Sequence, residues 1–298
     1  MTTRRRFLSI LAGAAALPAL RANAARAPYR WQGIALGAEA QVILDHEDAA
    51  TLVGRAVRDI RRLEQIFSLY RPESALSALN RDGMLKNPPF ELVELLSLCS
   101  RIHRRTQGGF DPTVQPLWAL YARRVSAGRH PSRAEIETAR GLVGWTNVHV
   151  AADRVAFGMP GMQLTLNGIA QGYIADRLAT MFRTAGVQNV LINTGEISAL
   201  GRAPDGPWQV QPGKRAQGTV PLTNQSIATS SPMGTSFDSA QTLGHILDPR
   251  SGRPGGQWSE VTVIAESAAT ADGLSTAFSL MSRPEIRQAQ GNARVILS

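Results

Sequence analysis

The hydrophobic pattern of the chain switches between a helical period and a strand period. Residues 48–70, DAATLVGRAVRDIRRLEQIFSLY, place apolar side chains at helical spacing with Arg, Asp and Glu between them, which predicts an amphipathic helix. Residues 88–109, PPFELVELLSLCSRIHRRTQGG, open on Pro, carry Glu early and basic residues late, and end in Gly-Gly, the polarity of a helix matched to its own dipole. A shorter helix with a Ser start is predicted over 132–144. Residues 34–46 alternate as a strand does, and from Asn147 the texture turns to short strands broken by turns, NVHV, RVAFG and QLTL. NVLINTGEISALG (189–201) reads as strand, glycine turn and second strand. VTVIA (261–265) reads as a buried strand running into the helix ATADGLSTAFSLM, and the chain closes on the strand-like ARVILS. Strands and helices without regular β-α alternation predict an α+β fold, helix-rich in its first half and strand-rich in its second.

One junction stands out. In LTLNGIAQGYIADRL (164–178) the apolar run stops at Asn167-Gly168 and a helical pattern begins at once. Asn167 is the expected N-cap of a helix from Gly168 onward, and the same helix start is suited to a negatively charged ligand.

Composition adds a compartment. The 298 residues are 43% hydrophobic, enough for a full core, and carry a formal charge of +9. Four of the arginines, Arg4, Arg5, Arg6 and Arg21, lie in the opening segment MTTRRRFLSILAGAAALPALRANA, and without them the charge is about +5, unremarkable for a soluble protein. That segment joins arginines to a short apolar run and an Ala-Asn-Ala cleavage pattern, so residues 1–24 are expected to be a signal peptide of the twin-arginine type. Residues 25–298 are then the exported, periplasmic part, one domain of two packed lobes. No second apolar run reaches membrane length. The single cysteine, Cys99, permits no intrachain disulfide. With the excess charge mostly in the leader and no basic-aromatic stripe, nucleic-acid binding is not expected.

The common nucleotide, serine-hydrolase and zinc motifs are absent. What remains are oxygen donors and turns. In TADGLSTAF (270–278), Asp272 and Thr276 share one helix face a turn apart; they suit Mg²⁺, and equally a carboxylate serving the helix dipole with a hydroxyl bonded to the preceding turn. GHILDPRSGRP (244–254) reads as a short strand ending in an Asp-Pro turn, with His245 set against it, while the other four histidines read as loop or charged-face residues. GGFDPTVQPLW (108–118) offers Gly109, Phe110 and Asp111 to a ring system with a polar edge, or is a helix stop and a loop. Tyr70 falls in a turn where it can stack on a flat ligand or cap the core.

Six stretches in order, SLYRPESALSALN, GGFDPTV, LTLNGIAQGYIADRL, INTGEISALG, HILDPRSGRP and TADGLSTAF, resemble the ApbE-like FAD:protein FMN transferases, in register over about residues 30–281. The resemblance implies mixed, T-fold-related sheets with packed helices. It implies a Mg²⁺-dependent transfer of FMN from FAD to a Thr or Ser hydroxyl of a partner flavoprotein, with release of AMP. It assigns the metal to Asp272, Thr276 and a backbone carbonyl, that of Ala170. It assigns FAD to Leu36, Tyr70, Gly109, Phe110, Asp111, Thr165, Gly168, Gln171, His245 and Ile246, with His245 as proton acceptor and Asp272 also catalytic.

The chain departs from the family pattern at Thr165, where Asp is usual, at Asn167, where Gly is usual, and at Gln171, where Lys is usual. The run from Thr165 to Tyr173 looks most like the NosX branch, which implies a NosR-like membrane flavoprotein of nitrous oxide reduction as the acceptor. Two other readings share the same site: an FAD pyrophosphatase that uses water as acceptor, against which Tyr70 speaks, and a flavin-binding protein whose catalysis has decayed, which the departures motivate.

Overall fold

A computed structural model describes residues 28–213 and 218–298. The expected signal peptide, residues 1–24, lies outside the described residues. The N-terminal strands β1 (Tyr29–Ala35) and β2 (Ala38–Leu44) lead into helix α1 (Ala49–Phe67), the short α2 (Ala75–Asp82), strand β3 (Met84–Lys86) and α3 (Phe90–Arg105). Helices α4 (Gln115–Ser126) and α5 (Arg133–Arg140) follow, then β4 (Val148–Val150) and β5 (Arg154–Phe157). The second half runs α6 (Ala170–Thr184), β6 (Val190–Asn193), β7 (Ile197–Leu200), β8 (Trp208–Val210), β9 (Val220–Leu222), β10 (Gln225–Ser230), β11 (Val261–Ala265), α7 (Ala268–Phe278), α8 (Arg283–Ala289) and β12 (Arg294–Leu297).

Seven strands form one antiparallel sheet in the order β1-β2-β6-β7-β10-β11-β12. Its inner strands β2, β6, β7 and β11 bury residues in both registers because both of their faces are covered. Val42, Leu44, Ile192, Ala228 and Val263 enter a core shared with α1, α3, α6 and α7. Their neighbours Ile43, Leu191, Ile227 and Ile264 point the other way, onto Trp208, Val210, Val220 and Leu222 of the β8–β9 hairpin. A period of two with apolar residues in both registers is what such a sandwiched strand requires. The α+β class is as expected, and no helix among the described residues is long and apolar enough to cross a membrane.

Four local expectations are corrected. The single strand expected over 34–46 is the β1–β2 hairpin, turned by Leu36 (φ +46) and Gly37 (φ +79). Two positive φ values match the right-handed twist of a two-residue hairpin, and Leu36 hides the signal because Gly or Asn is the usual choice there. The QLTL strand is an extended segment outside any ladder; its Leu164 N–H and C=O pair instead with the Asn80 side-chain amide, at 2.7 and 2.8 Å, and the Thr165 N–H with the Pro112 carbonyl at 2.8 Å. No strand forms at 244–248, where an Asp238 cap and isolated bridges organise the loop instead. The helix after Asn167 starts at Ala170, its N-cap residue is Ile169, and no side chain of that residue caps it. Asn167 belongs to a preceding turn closed by Ile169 N–H and Ala170 N–H on the Leu166 carbonyl.

Candidate active site

Helices α6 and α7 meet where α6 begins. Gly172 permits the contact: a Cβ there would lie 2.4 Å from the Ala268 carbonyl oxygen, a distance no side chain tolerates. At this crossing the Gly172 N–H donates to Asp272 Oδ2 at 3.2 Å. A carboxylate from the neighbouring helix thus takes an amide of the first turn, where an unpartnered helix needs an acceptor. Asp272 is buried, 4% exposed, and an anion at a helix N-terminus is favoured by the dipole.

Thr276 follows one turn along the same face. Gly168 faces it so closely that a Cβ would sit 2.9 Å from Thr276 Oγ1. Residues 168–172 therefore run along the Asp272–Thr276 face, with the buried Ala170 between the two contact points. Ser230, the last residue of β10, places its hydroxyl 2.8 Å from Ser275 Oγ and 3.4 Å from Thr276 Oγ1. Among the described residues no group of three or more His, Cys, Asp or Glu could hold a metal ion alone. A carboxylate, a hydroxyl and a carbonyl are a hard-oxygen set that fits Mg²⁺, which takes few protein carboxylates and completes its shell with phosphate and water.

Tyr70 stands 75% exposed between two clefts. One, of about 650 Å³, is lined by Leu36, Gly37, Glu64, Arg71 and Tyr70. The other, of about 420 Å³, is lined by Tyr70, Asn80, Gln115, Trp118 and Asn167. The floor of the larger is fixed by Glu64, which accepts the Leu36 N–H at 2.8 Å and pairs with Arg71 at 3.4 Å. Leu36 and Tyr70, 34 positions apart, thus share a wall, and Tyr70 shares a second wall with Asn167.

Gly109, Phe110 and Asp111 lie deeper. Phe110 is buried in the main core, and Gly109 is pressed between Met281 and the Thr106 carbonyl. The Asp111 carboxylate accepts from the Thr113 N–H at 2.8 Å, the Thr113 hydroxyl at 2.5 Å and the Trp145 N–H at 3.1 Å, with His103 Nδ1 at 3.7 Å. It organises the loop entering α4. His103, expected on a charged face, is half-buried against it, with Nδ1 also 2.9 Å from the Phe110 carbonyl. Thr165 accepts the Asn167 N–H at 3.3 Å. Gln171 lies over the β6–β7 turn: its carbonyl accepts the Thr194 hydroxyl at 2.8 Å, and its amide fills the space above Gly195 (φ +106).

His245 sits in the long loop between β10 and β11. Its backbone N–H and its ring Nδ1 both meet the Thr235 carbonyl, at 3.1 and 2.9 Å. An Nδ1–H donating to that carbonyl sets the tautomer and leaves the ring's basic lone pair on Nε2. The loop is held by Phe237, stacked on Tyr121 and tilted against Trp118 of α4. It is held also by Asp238, whose carboxyl is kept below the ordinary aspartate range by the Thr242 hydroxyl and then the Leu243 N–H. Next to His245, Ile246 is buried and its carbonyl takes the Gly255 N–H. The Asp-Pro-Arg-Ser-Gly turn forms as expected: Asp248 accepts the Arg250 N–H at 2.9 Å, and Gly252 takes φ +71.

The structure therefore joins Asp272, Thr276, Gly168 and the α6 start at one point, and Leu36, Tyr70 and Asn167 around the clefts. Three contributors escaped sequence reasoning: Gly172, Asn80 and Ser230. Gly172 had a readable signal, a glycine in the first turn of an otherwise good helix.

The ApbE family model matches residues 36–295. An FAD:protein FMN transferase of Vibrio cholerae is 28% identical over 250 residues, 78% of this chain and 74% of that protein. One from Salmonella typhimurium is 28% identical over 254 residues, covering 78% and 72%. The apo crystal structure of the Pseudomonas stutzeri flavinyl transferase ApbE superposes with a TM-score of 0.80 at 29% identity, covering 91% of this chain and 90% of that one. The ApbE protein of Thermotoga maritima gives 0.82 at 27%, covering 91% and 94%. A family-model match over most of the chain, together with this fold, means that the chain belongs to the ApbE family of transferases.

Proposed function

We propose that the chain transfers FMN from FAD to a Thr or Ser hydroxyl of a partner protein and releases AMP. The observation that carries this reading is the Asp272–Thr276 face of α7 closed against residues 168–172. It sets a buried carboxylate and a hydroxyl beside a helix N-terminus, a combination suited to a cation and a pyrophosphate. Asp272, Thr276 and the Ala170 carbonyl are the donors that would hold Mg²⁺, whose charge would neutralise the pyrophosphate.

The chain's own groups then have separate tasks. Tyr70 offers an exposed ring face to the isoalloxazine, with Leu36 on the same wall. The acceptor hydroxyl attacks the FMN-side phosphorus; the new P–O ester bond forms as the bond to the bridging oxygen breaks, and the electron pair leaves with AMP. The hydroxyl proton passes to His245 Nε2, the basic nitrogen in the tautomer that the Thr235 carbonyl selects. The acceptor is an exported or membrane flavoprotein, NosR-like in the branch that the Thr165–Tyr173 run resembles, and the reaction takes place in the periplasm.

Incubation of the protein with FAD, Mg²⁺ and a candidate acceptor tests this. A flavin-fluorescent acceptor band that survives denaturation supports transfer. Steady release of FMN and AMP without any acceptor labelling would assign the site to hydrolysis instead.

A further inference from the structure

Asp272 is only half of a reciprocal arrangement. Asp176, on α6 and half-buried, accepts from the Ser267 hydroxyl at 2.8 Å, the Ala268 N–H at 2.7 Å and the Ala269 N–H at 2.9 Å. Those donors are the N-cap and first turn of α7. In α6, Gly172 and Asp176 are one turn apart; in α7, Ala268 and Asp272 are one turn apart. Each helix's carboxylate takes a first-turn amide of the other, and between the two bridges Gly172 leaves no gap against Ala268. Burial pushes the Asp176 carboxyl up, against the Ala269 and Ala268 amides that favour its charged form.

We infer that Asp176 is a positioning residue for the cation site: by capping α7 it fixes the rotation of that helix, and with it the placement of Asp272 and Thr276 against residues 168–172. The inference rests on the reading that Asp272 and Thr276 hold Mg²⁺. A helix capped from one side only can roll about its axis, and a one-turn pair such as Asp272 and Thr276 presents its oxygens together only at the right rotation. Partners that orient ligands in this way commonly affect metal affinity about 10- to 100-fold.

The test follows FAD fluorescence while Mg²⁺ is titrated into the full chain without acceptor, so that binding is read apart from transfer. For the unaltered chain a saturable Mg²⁺ response is expected, and Asp272→Asn should remove it. For Asp176→Asn, nearly isosteric, the half-saturating Mg²⁺ concentration should rise at least about tenfold, with the same final fluorescence at saturating Mg²⁺. Ser267→Ala, which removes one donor to the same carboxylate, should shift it in the same direction by less. A folded Asp176→Asn chain with a lower melting temperature but an unchanged Mg²⁺ midpoint would reduce Asp176 to a fold-stabilising residue and overturn the inference. If that variant does not fold, an unchanged midpoint in Ser267→Ala overturns it. An unaltered chain that shows no Mg²⁺ response, or an Asp272→Asn chain that keeps it, would instead overturn the cation-site reading itself.

Discussion

The Gly172 N–H donates to the Asp272 carboxylate across 3.2 Å, joining the first turn of α6 to the middle of α7 where no side chain fits between them. Every candidate metal donor lies within a turn of this bond. Gly172→Ala should therefore do more than add helix propensity. The new methyl meets the Ala268 carbonyl, and overpacking of this kind costs about 1–3 kcal/mol. Denaturant unfolding should show that loss, against the gain of nearly 1 kcal/mol that an unhindered Gly→Ala change in a helix brings.

The extended segment before α6 depends on one amide. Asn80 both donates to and accepts from Leu164, 84 positions away. Asn80→Ala leaves a buried N–H and C=O unpaired, each costing about 1–3 kcal/mol. Urea unfolding should show a loss of unfolding free energy of that size for each of the two groups, with the midpoint lowered accordingly. Asn80→Asp, which retains the acceptor but not the donor, should fall between the variant and the unaltered protein.

Much of the fold was legible wherever sequence period and burial coincide. The α1, α3 and α5 patterns, the β6–β7 hairpin turning at Gly195, and β11 running into α7 all follow from apolar spacing and turn residues. α5 even shows the Ser132–Glu135 capping box that a Ser start allows. Legibility failed where a distant group supplied what local sequence normally supplies. The 163–166 alternation was real, with Leu164 and Leu166 buried, but its pairing partner was a side chain rather than a strand. Asn167-Gly168 had the chemistry of a cap, yet the α6 amide goes to Asp272 from another helix. α2 and α4 were hidden by their settings, one behind an Arg-Pro-Glu-Ser turn and the other behind Asp-Pro. At the site, the spacing of Asp272 and Thr276 was readable; what closes against them was not.

Tyr70 separates binding from stability. With its ring 75% exposed, Tyr70→Ala should change unfolding free energy by no more than about 0.5 kcal/mol. Loss of one aromatic stack should weaken FAD binding by about 1.4 kcal/mol, roughly tenfold. Equilibrium titration of FAD checks the second expectation and denaturant unfolding the first.

His245→Gln keeps a side chain able to donate to the Thr235 carbonyl but removes the basic Nε2. The turnover number should fall by about 10²–10⁴, well beyond any change in FAD affinity. Steady-state kinetics of both proteins, beside equilibrium titration of FAD, decide.

The central claim is that the Asp272–Thr276 face drives covalent transfer of FMN to a protein hydroxyl. In-gel flavin fluorescence of a denatured acceptor, after incubation with FAD and Mg²⁺ and either the unaltered protein or Asp272→Asn, tests it most directly. The account predicts a fluorescent acceptor band with the unaltered protein, lost with Asp272→Asn although that variant stays folded. An equally bright band with Asp272→Asn would contradict it.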